Sequence, residues 1–237
     1  MTMLELLRQD GYVMLHAVFS RAQVSQWGIE LESALQRDQQ HQAAISRRST
    51  IVAARNMLEV FPAAKELWKG TKLHSVLQAA LGADMGLMRG LYFDKPPGQS
   101  WSLPWHQDRA IAVKDNRLAG NIFGKPTIKA GVPHVEAPWW LSQQILLARI
   151  HLDAMVAENG PLQVMPGTQV SEIMPEQHEI VTLHAEPGDV LIMSPLLFHR
   201  SGQAALDTKL HRRILHLEFT GCSTLPDGYT WHTFLPG

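Results

Sequence analysis

Two textures divide the chain at Gly82. Before it, apolar residues recur at helical spacing; after it, short apolar runs alternate with proline and glycine. Val24, Trp27, Leu31 and Leu35 fall on one helical stripe, preceded by Ser20 and Gln23 in a capping-box pattern. A second helix is predicted from near Pro62 to Gly70. A third carries Leu73, Val76, Leu77 and Leu81 up to Gly82, a residue that tolerates the left-handed end of a helix. Within this helical region the apolar stretch 11–15 fits a strand. Beyond Gly82 the runs predict strands over 86–93, 145–152, 162–165, 189–193 and 213–219, bounded by turn residues such as Asn159-Gly160 and Pro187-Gly188.

Between Asp108 and Ile145 the pattern lapses into a poorly periodic stretch punctuated by Gly120, Gly124, Pro126, Gly131, Pro133 and Pro138. Loops this long inside compact domains commonly cover or line a site, so a lid-like insert is expected over about 110–144. The expected organisation is one domain over 1–237, with a helical region at about 1–82 and a β-rich core at about 83–237. The fold class is mainly β with helices packed outside.

Composition changes this picture little. The chain has 237 residues, 45% hydrophobic and 18% charged, the balance of an ordinary globular domain. A formal net charge of -1 offers no basic field for nucleic acid. One cysteine, Cys222, rules out an intrachain disulfide. The first residues lack a secretory pattern and no apolar run spans a bilayer, so a cytoplasmic location without membrane contact is expected.

The chemistry concentrates in Trp105-His106-Gln107-Asp108. Side chains at i and i+2 of a strand share a face, so His106 and Asp108 can converge on one ion. Imidazole and carboxylate suit Fe(II), and a third ligand must come from elsewhere in the fold. His199, after the apolar run Ser194-Pro195-Leu196-Leu197, is the best candidate. Three ligands on one face of an octahedron leave positions open for a chelating co-substrate and dioxygen. In the strand that follows, Arg213, Leu215, Leu217 and Phe219 should face outward, and Arg212, Ile214, His216 and Glu218 inward. An inward guanidinium needs an anion, which could be a co-substrate carboxylate or an acidic side chain, Glu218 or Asp153.

These residues resemble the phytanoyl-CoA dioxygenase family of Fe(II)/2-oxoglutarate oxygenases. The likeness runs through Gln9-Asp10-Gly11-Tyr12-Val13, Lys95-Pro96-Pro97-Gly98, the His106 motif, and Glu158-Asn159-Gly160-Pro161-Leu162 with Pro166-Gly167-Thr168. It continues through Glu186-Pro187-Gly188-Asp189 and His199-Arg200-Ser201-Gly202 to Arg212. The resemblance implies a double-stranded β-helix, a jelly-roll of cupin type, with iron on His106, Asp108 and His199. It places Arg212 and Ser201 at the distal carboxylate of 2-oxoglutarate, and Leu91, Gln107 and Arg149 around the co-substrate. Arg149 departs from the pattern, since an aromatic residue often stands there. Arg55 is a further cation expected to face the pocket.

The activity implied is hydroxylation of a small molecule by dioxygen, with 2-oxoglutarate oxidised to succinate and CO2. Asp108 favours this over halogenation, because halogenating relatives carry a small residue at that position. Candidate pocket residues are Arg55, His134, Trp139, His151 and His216, a mixture that would suit an anionic small molecule. Two other readings stay open: a cupin-like metalloprotein without 2-oxoglutarate chemistry, and a non-catalytic binding protein on the same scaffold.

Overall fold

The computed structural model describes residues 1–38, 43–47, 50–99 and 101–237. Its helices are α1 (Met3–Asp10), α2 (Arg21–Arg37), α3 (Met57–Val60), α4 (Lys72–Leu81) and α5 (Trp139–Ser142). Three strands lie in the N-terminal third: β1 (Tyr12–Leu15), β2 (Ala44–Arg47) and β3 (Thr50–Ala54). Next come β4 (Gly86–Phe93), β5 (Leu103–His106), β6 (Ala110–Ala112), β7 (Gly124–Lys129) and β8 (Val132–Glu136). The remainder are β9 (Ile145–His151), β10 (Leu162–Val164), β11 (Val181–Thr182), β12 (Val190–Met193), β13 (His199–Ser201), β14 (Ile214–Thr220) and β15 (Leu235–Pro236).

The main sheet runs β1-β12-β9-β14-β4-β3-β2, with β15 also on β4. A smaller sheet runs β11-β10-β13-β5. Every pairing is antiparallel. This is the mainly β, double-stranded β-helix architecture, and its functional groups project from the two sheets into a shared interior.

Alternation along the central strands decides what faces where. Ala148 and Ile150 of β9, Val190 and Ile192 of β12, and Leu215, Leu217 and Phe219 of β14 pack into one apolar cluster. That cluster also takes in Val24, Leu31 and Leu35 of α2 and Leu73 and Leu77 of α4. The helices thus cover the outer face of the main sheet, as the period-2 reading of β14 requires. Arg213 closes this layer: its guanidinium lies 2.7 Å from Glu32 on α2 and 2.8 Å from Asp153. The opposite residues, Leu147 with Leu191 and Met193, join an inner cluster with Leu162 and Val164.

Both capping predictions for α2 are met, with the Ser20 hydroxyl accepting from the Gln23 N–H and the Gln23 side chain reaching back. The helix predicted from Pro62 to Gly70 is shorter, a single 3-10 turn over Pro62–Lys65. Trp68 is wholly buried and its indole N–H donates to the Lys65 carbonyl, so the chain folds inward instead of continuing a cylinder.

The 110–144 stretch departs further from expectation. It folds into a three-stranded sheet, β6-β8-β7, followed by α5. Ile111, Val113, Val135 and Leu141 are buried in the inner apolar cluster, so the segment is anchored to the core. Its strands escaped the sequence pattern because β7, Gly-Lys-Pro-Thr-Ile-Lys, is almost wholly exposed and has no apolar face.

Candidate metal centre

His106 ends β5 and His199 opens β13, and the two are register partners across the smaller sheet. Their rings stand 4.3 Å apart, centre to centre. Asp108 lies two residues past the end of β5, so convergence does not come from one strand alone. Its backbone N–H donates to the Pro195 carbonyl at 2.8 Å, which fixes the turn that brings the carboxylate back. Ligand atoms of His106, Asp108 and His199 lie within 4.8 Å of one another.

Two backbone carbonyls set the tautomers. His106 Nδ1 is 2.7 Å from the Pro104 oxygen, and His199 Nδ1 is 2.8 Å from the Leu197 oxygen. A carbonyl can only accept, so each Nδ1 carries a proton and Nε2 is the nitrogen left to face a shared ion. Both Nε2 atoms face Asp108, at 3.8 Å from His106 and 3.4 Å from His199, longer than a good hydrogen bond. Burial, then the His199 charge, lowers the His106 pKa and keeps its ring neutral. Burial alone would raise the Asp108 carboxyl. The neighbouring His199, His106 and His216 overcome this and hold it well below the usual carboxylate range. Two imidazoles and an ionised carboxylate form a donor set that fits Fe(II).

These groups open onto a cavity of about 450 Å³, a size suited to small molecules. The inward face of β14 supplies His216 and Glu218 to its wall, and Arg212, two residues before the strand begins, joins them in the same alternation. Arg212 is 1% exposed and meets neither acidic side chain considered for it. Asp153 pairs with Arg213, and Glu218 takes a two-pronged bond from Arg89 at 2.7 and 2.9 Å. Arg212 instead donates to the Gly160 carbonyl at 2.6 Å and the Ser201 hydroxyl at 3.1 Å. Burial and the Arg149 charge push its pKa down to about 9.

Arg149 on β9 has the same character. It is buried, and its pKa is lowered to about 10 by desolvation. Its side chain leans on His216 Nδ1 at 3.4 Å. A guanidinium can only donate, so His216 accepts there; its Nε2 lies 3.3 Å from Glu218, in charge contact without a formed hydrogen bond. An Arg89–Glu218–His216–Arg149 chain thus crosses three strands. Among the described residues, Nε of Arg149, Nε of Arg212 and both ring nitrogens of His151 are buried without a hydrogen-bond partner. Two buried guanidiniums without a carboxylate partner call for an anion from outside the chain.

Of the other expected residues, Leu91 and Gln107 line the cavity, as do Arg55 and His216. The Gln107 amide is tied down, donating to the Ser171 and Leu196 carbonyls at 2.8 and 2.6 Å. His134 lines a small adjoining pocket instead. Trp139 and His151 are absent from the cavity wall. Trp105 packs against Arg200, whose guanidinium lies 4.8 Å from the ring centre.

Lys95, which entered the sequence reading only as part of the family-like Lys95-Pro96-Pro97-Gly98 segment, is a residue that sequence reasoning missed. It is 1% exposed, and its ammonium donates to the Gly160 and Gly202 carbonyls beside the Trp101 ring. Burial, then the charges of Arg212 and Arg149, push it down to about 6. The Gly160 carbonyl therefore receives both Lys95 and Arg212.

Only glycine suits that position. Its φ is +68°, and a Cβ would stand 2.5 Å from the Gly202 oxygen and 2.8 Å from Lys95 Nζ. Gly160→Ala is expected to cost about 2 kcal/mol or more of stability, through strain and through displacement of this carbonyl. Chemical denaturation checks it; an unchanged midpoint would show that the turn adapts freely.

A search of the curated proteins finds no match, whereas solved structures share the fold. AviO1 from Streptomyces viridochromogenes Tue57 superimposes with a TM-score of 0.65 at 18% identity, covering 94% of this chain and 96% of that one. EctD from S. alaskensis, crystallised with 2-oxoglutarate and 5-hydroxyectoine, gives 0.70 at 18% identity, covering 92% and 74%. The epimerase SnoN, in complex with Fe3+, alpha ketoglutarate and nogalamycin RO, gives 0.67 at 15% identity, covering 95% and 86%. The profile of the phytanoyl-CoA dioxygenase family (PhyH) matches residues 7–205, most of the sequence, and the chain belongs to that family.

Proposed function

We propose that the protein is an oxygenase that hydroxylates a small organic molecule, using dioxygen and 2-oxoglutarate and releasing succinate and CO2. Fe(II) and 2-oxoglutarate are the cofactor and co-substrate of its family. One observation carries the reading. Three metal-type ligand atoms, within 4.8 Å of one another, share a cavity with two buried guanidiniums that have no acid of their own.

His106, Asp108 and His199 would hold the iron through two Nε2 atoms and a carboxylate oxygen. Arg212 and Ser201 would bind the distal carboxylate of 2-oxoglutarate. The Arg212 fork matches a carboxylate, and the Ser201 hydroxyl already lies 3.1 Å from it. Leu91, Gln107 and Arg149 would line the co-substrate position, with Arg149 oriented by His216. Bound together, the iron and co-substrate supply an oxidant able to take hydrogen from an unactivated C–H bond. The protein's part is to orient the substrate and exclude water. The β6-β8-β7 sheet is well placed to shape the cavity mouth and govern which molecule enters. The Asp108 carboxylate fills the position where a halogenating enzyme needs a small residue, so hydrogen abstraction would end in oxygen transfer.

The test is anaerobic reconstitution with Fe(II), followed by metal analysis and succinate release under air with a substrate panel. We expect one iron per chain, and succinate that depends on both metal and 2-oxoglutarate. Stable iron binding with no measurable affinity for 2-oxoglutarate would overturn the reading.

A further inference from the structure

We propose that Arg55 and Lys129 form an anion-binding subsite in the cavity wall, and that the substrate carries a carboxylate or phosphate group that docks there. The proposal deepens the functional reading above and rests on the same cavity.

Both side chains line that cavity, yet neither has an acidic or hydrogen-bonding partner among the described residues. Their cationic neighbours do. Arg89 is paired with Glu218, Arg109 with Glu136 and Glu172, and Lys125 with Glu136. The missing partners at Arg55 and Lys129 are therefore a local feature, in a region where acids are otherwise supplied.

The backbone holds the two cations together. Arg55 follows β3, Lys129 ends β7, and the residues after them are clasped: Asn56 Nδ2 donates to the Ala130 carbonyl at 3.1 Å. Asn56 and Ala130 both adopt positive φ, 55° and 48°, uncommon for residues with a Cβ. Ala130 and Gly131 form a two-residue connection between the paired Lys129 and Val132. Positive φ at both positions suits the type I′ hairpin turn. Strain of this kind persists where surrounding contacts enforce it, and it clusters at ligand sites.

Electrostatics agree with the geometry. Burial, then the Arg89 charge, lowers the Arg55 pKa. Burial, then Arg55 and Arg89, lowers that of Lys129. Two half-buried cations repelling one another are costly unless a ligand anion joins them.

The co-substrate does not meet this need. Seven cationic side chains line the cavity; with Arg89 and Arg109 paired to Glu218, Glu136 and Glu172, five remain against one lining carboxylate, Asp108, in a chain whose formal net charge is -1. Iron brings two positive charges and 2-oxoglutarate two negative ones, so loading both leaves the cationic excess unchanged. The remaining counter-charge falls to the substrate. A planar guanidinium beside a mobile ammonium suits the several oxygens of a carboxylate or phosphate.

The experiment uses the full chain loaded with Mn(II), with and without 2-oxoglutarate. The probes are inorganic phosphate, phosphate monoesters paired with their parent alcohols, and carboxylates paired with their amides. Calorimetric affinities should favour one anionic series over its neutral partners by at least about tenfold, equivalent to about 1.4 kcal/mol. The series favoured identifies the group. Arg55→Gln combined with Lys129→Gln should abolish the preference, leaving the affinity for 2-oxoglutarate within about twofold. Arg55→Lys should retain part of the preference, and Asn56→Ala should blunt it.

Equal binding of charged and neutral probes would overturn the subsite. So would a double variant that loses 2-oxoglutarate as steeply as it loses the probes, since the pair would then serve the co-substrate. Failure of the unmodified protein to bind 2-oxoglutarate would count against the oxygenase reading instead, because the probe preference is scored separately on the metal-only protein.

Discussion

Arg212→Met is expected to weaken 2-oxoglutarate binding by roughly 30- to 1000-fold, while the ligand-free protein keeps its melting temperature or gains slightly. The first part follows from truncating one partner of a buried charged pair, which costs about 2–4 kcal/mol. The second follows from what Arg212 does without a ligand. Its guanidinium is buried beside Arg149 and Lys95, and a carbonyl, a hydroxyl and the Met155 sulfur, all uncharged, receive it. Removing an uncompensated buried cation relieves a desolvation cost, and Lys95 remains to satisfy the Gly160 carbonyl. Methionine preserves much of the side chain's volume. Calorimetric titration of the Mn(II)-loaded protein gives the affinity, and a thermal melt of the ligand-free protein gives the stability. A large fall in melting temperature would mark Arg212 as a structural brace, and unchanged affinity would remove it from the co-substrate site.

Asp108→Ala and His199→Ala should each lower Fe(II) affinity by more than about 100-fold, the upper range seen when even an outer partner of a metal ligand is lost. Neither change should disturb the metal-free fold. The Asp108 side chain is 40% exposed, and its anchoring bond to Pro195 belongs to the backbone. His199 gives up its bond to the Leu197 carbonyl and its contacts with Asp108 and the His106 ring, all within the metal-site cluster. Fe(II) should therefore raise the melting temperature of the unmodified protein and leave both variants where they were, because a ligand stabilises only the state that binds it. A variant that still melts higher with Fe(II) would place the ion elsewhere.

Period-2 alternation made the barrel interior legible before any coordinates. It turned His216 and Glu218 of the last long strand, and Arg212 just before it, inward, and the cavity wall contains all three. It also separated Arg213 onto the helix-covered face, where Glu32 and Asp153 meet it. The ligand types of His106, Asp108 and His199 were readable too, but not the β5–β13 register that joins them. Cross-strand partners distant in sequence leave no local signature, and Asp108 reaches the site through a turn beyond its strand.

Lys95 and Lys129 escaped for a different reason. A buried lysine sitting on carbonyls, and a lysine at a hairpin corner, look like ordinary solvated charges in sequence. The Ala130-Gly131 turn was the available signal, since glycine between two short runs suggests a hairpin. The polar β2 and β7 carry no apolar face, so their pairing had nothing to announce it.

The edge position of β1 has a consequence for how the molecule forms. Among the described residues Tyr12–Leu15 pairs only with β12, roughly 180 residues downstream. During synthesis this strand must wait, with Val13 and Leu15 uncovered, until β12 has emerged. Closing so long a loop raises contact order and slows folding toward the millisecond-to-second regime of β-rich proteins. The early strand is therefore a point of vulnerability to aggregation and to chaperone capture, and its docking onto β12 should be among the last events of folding.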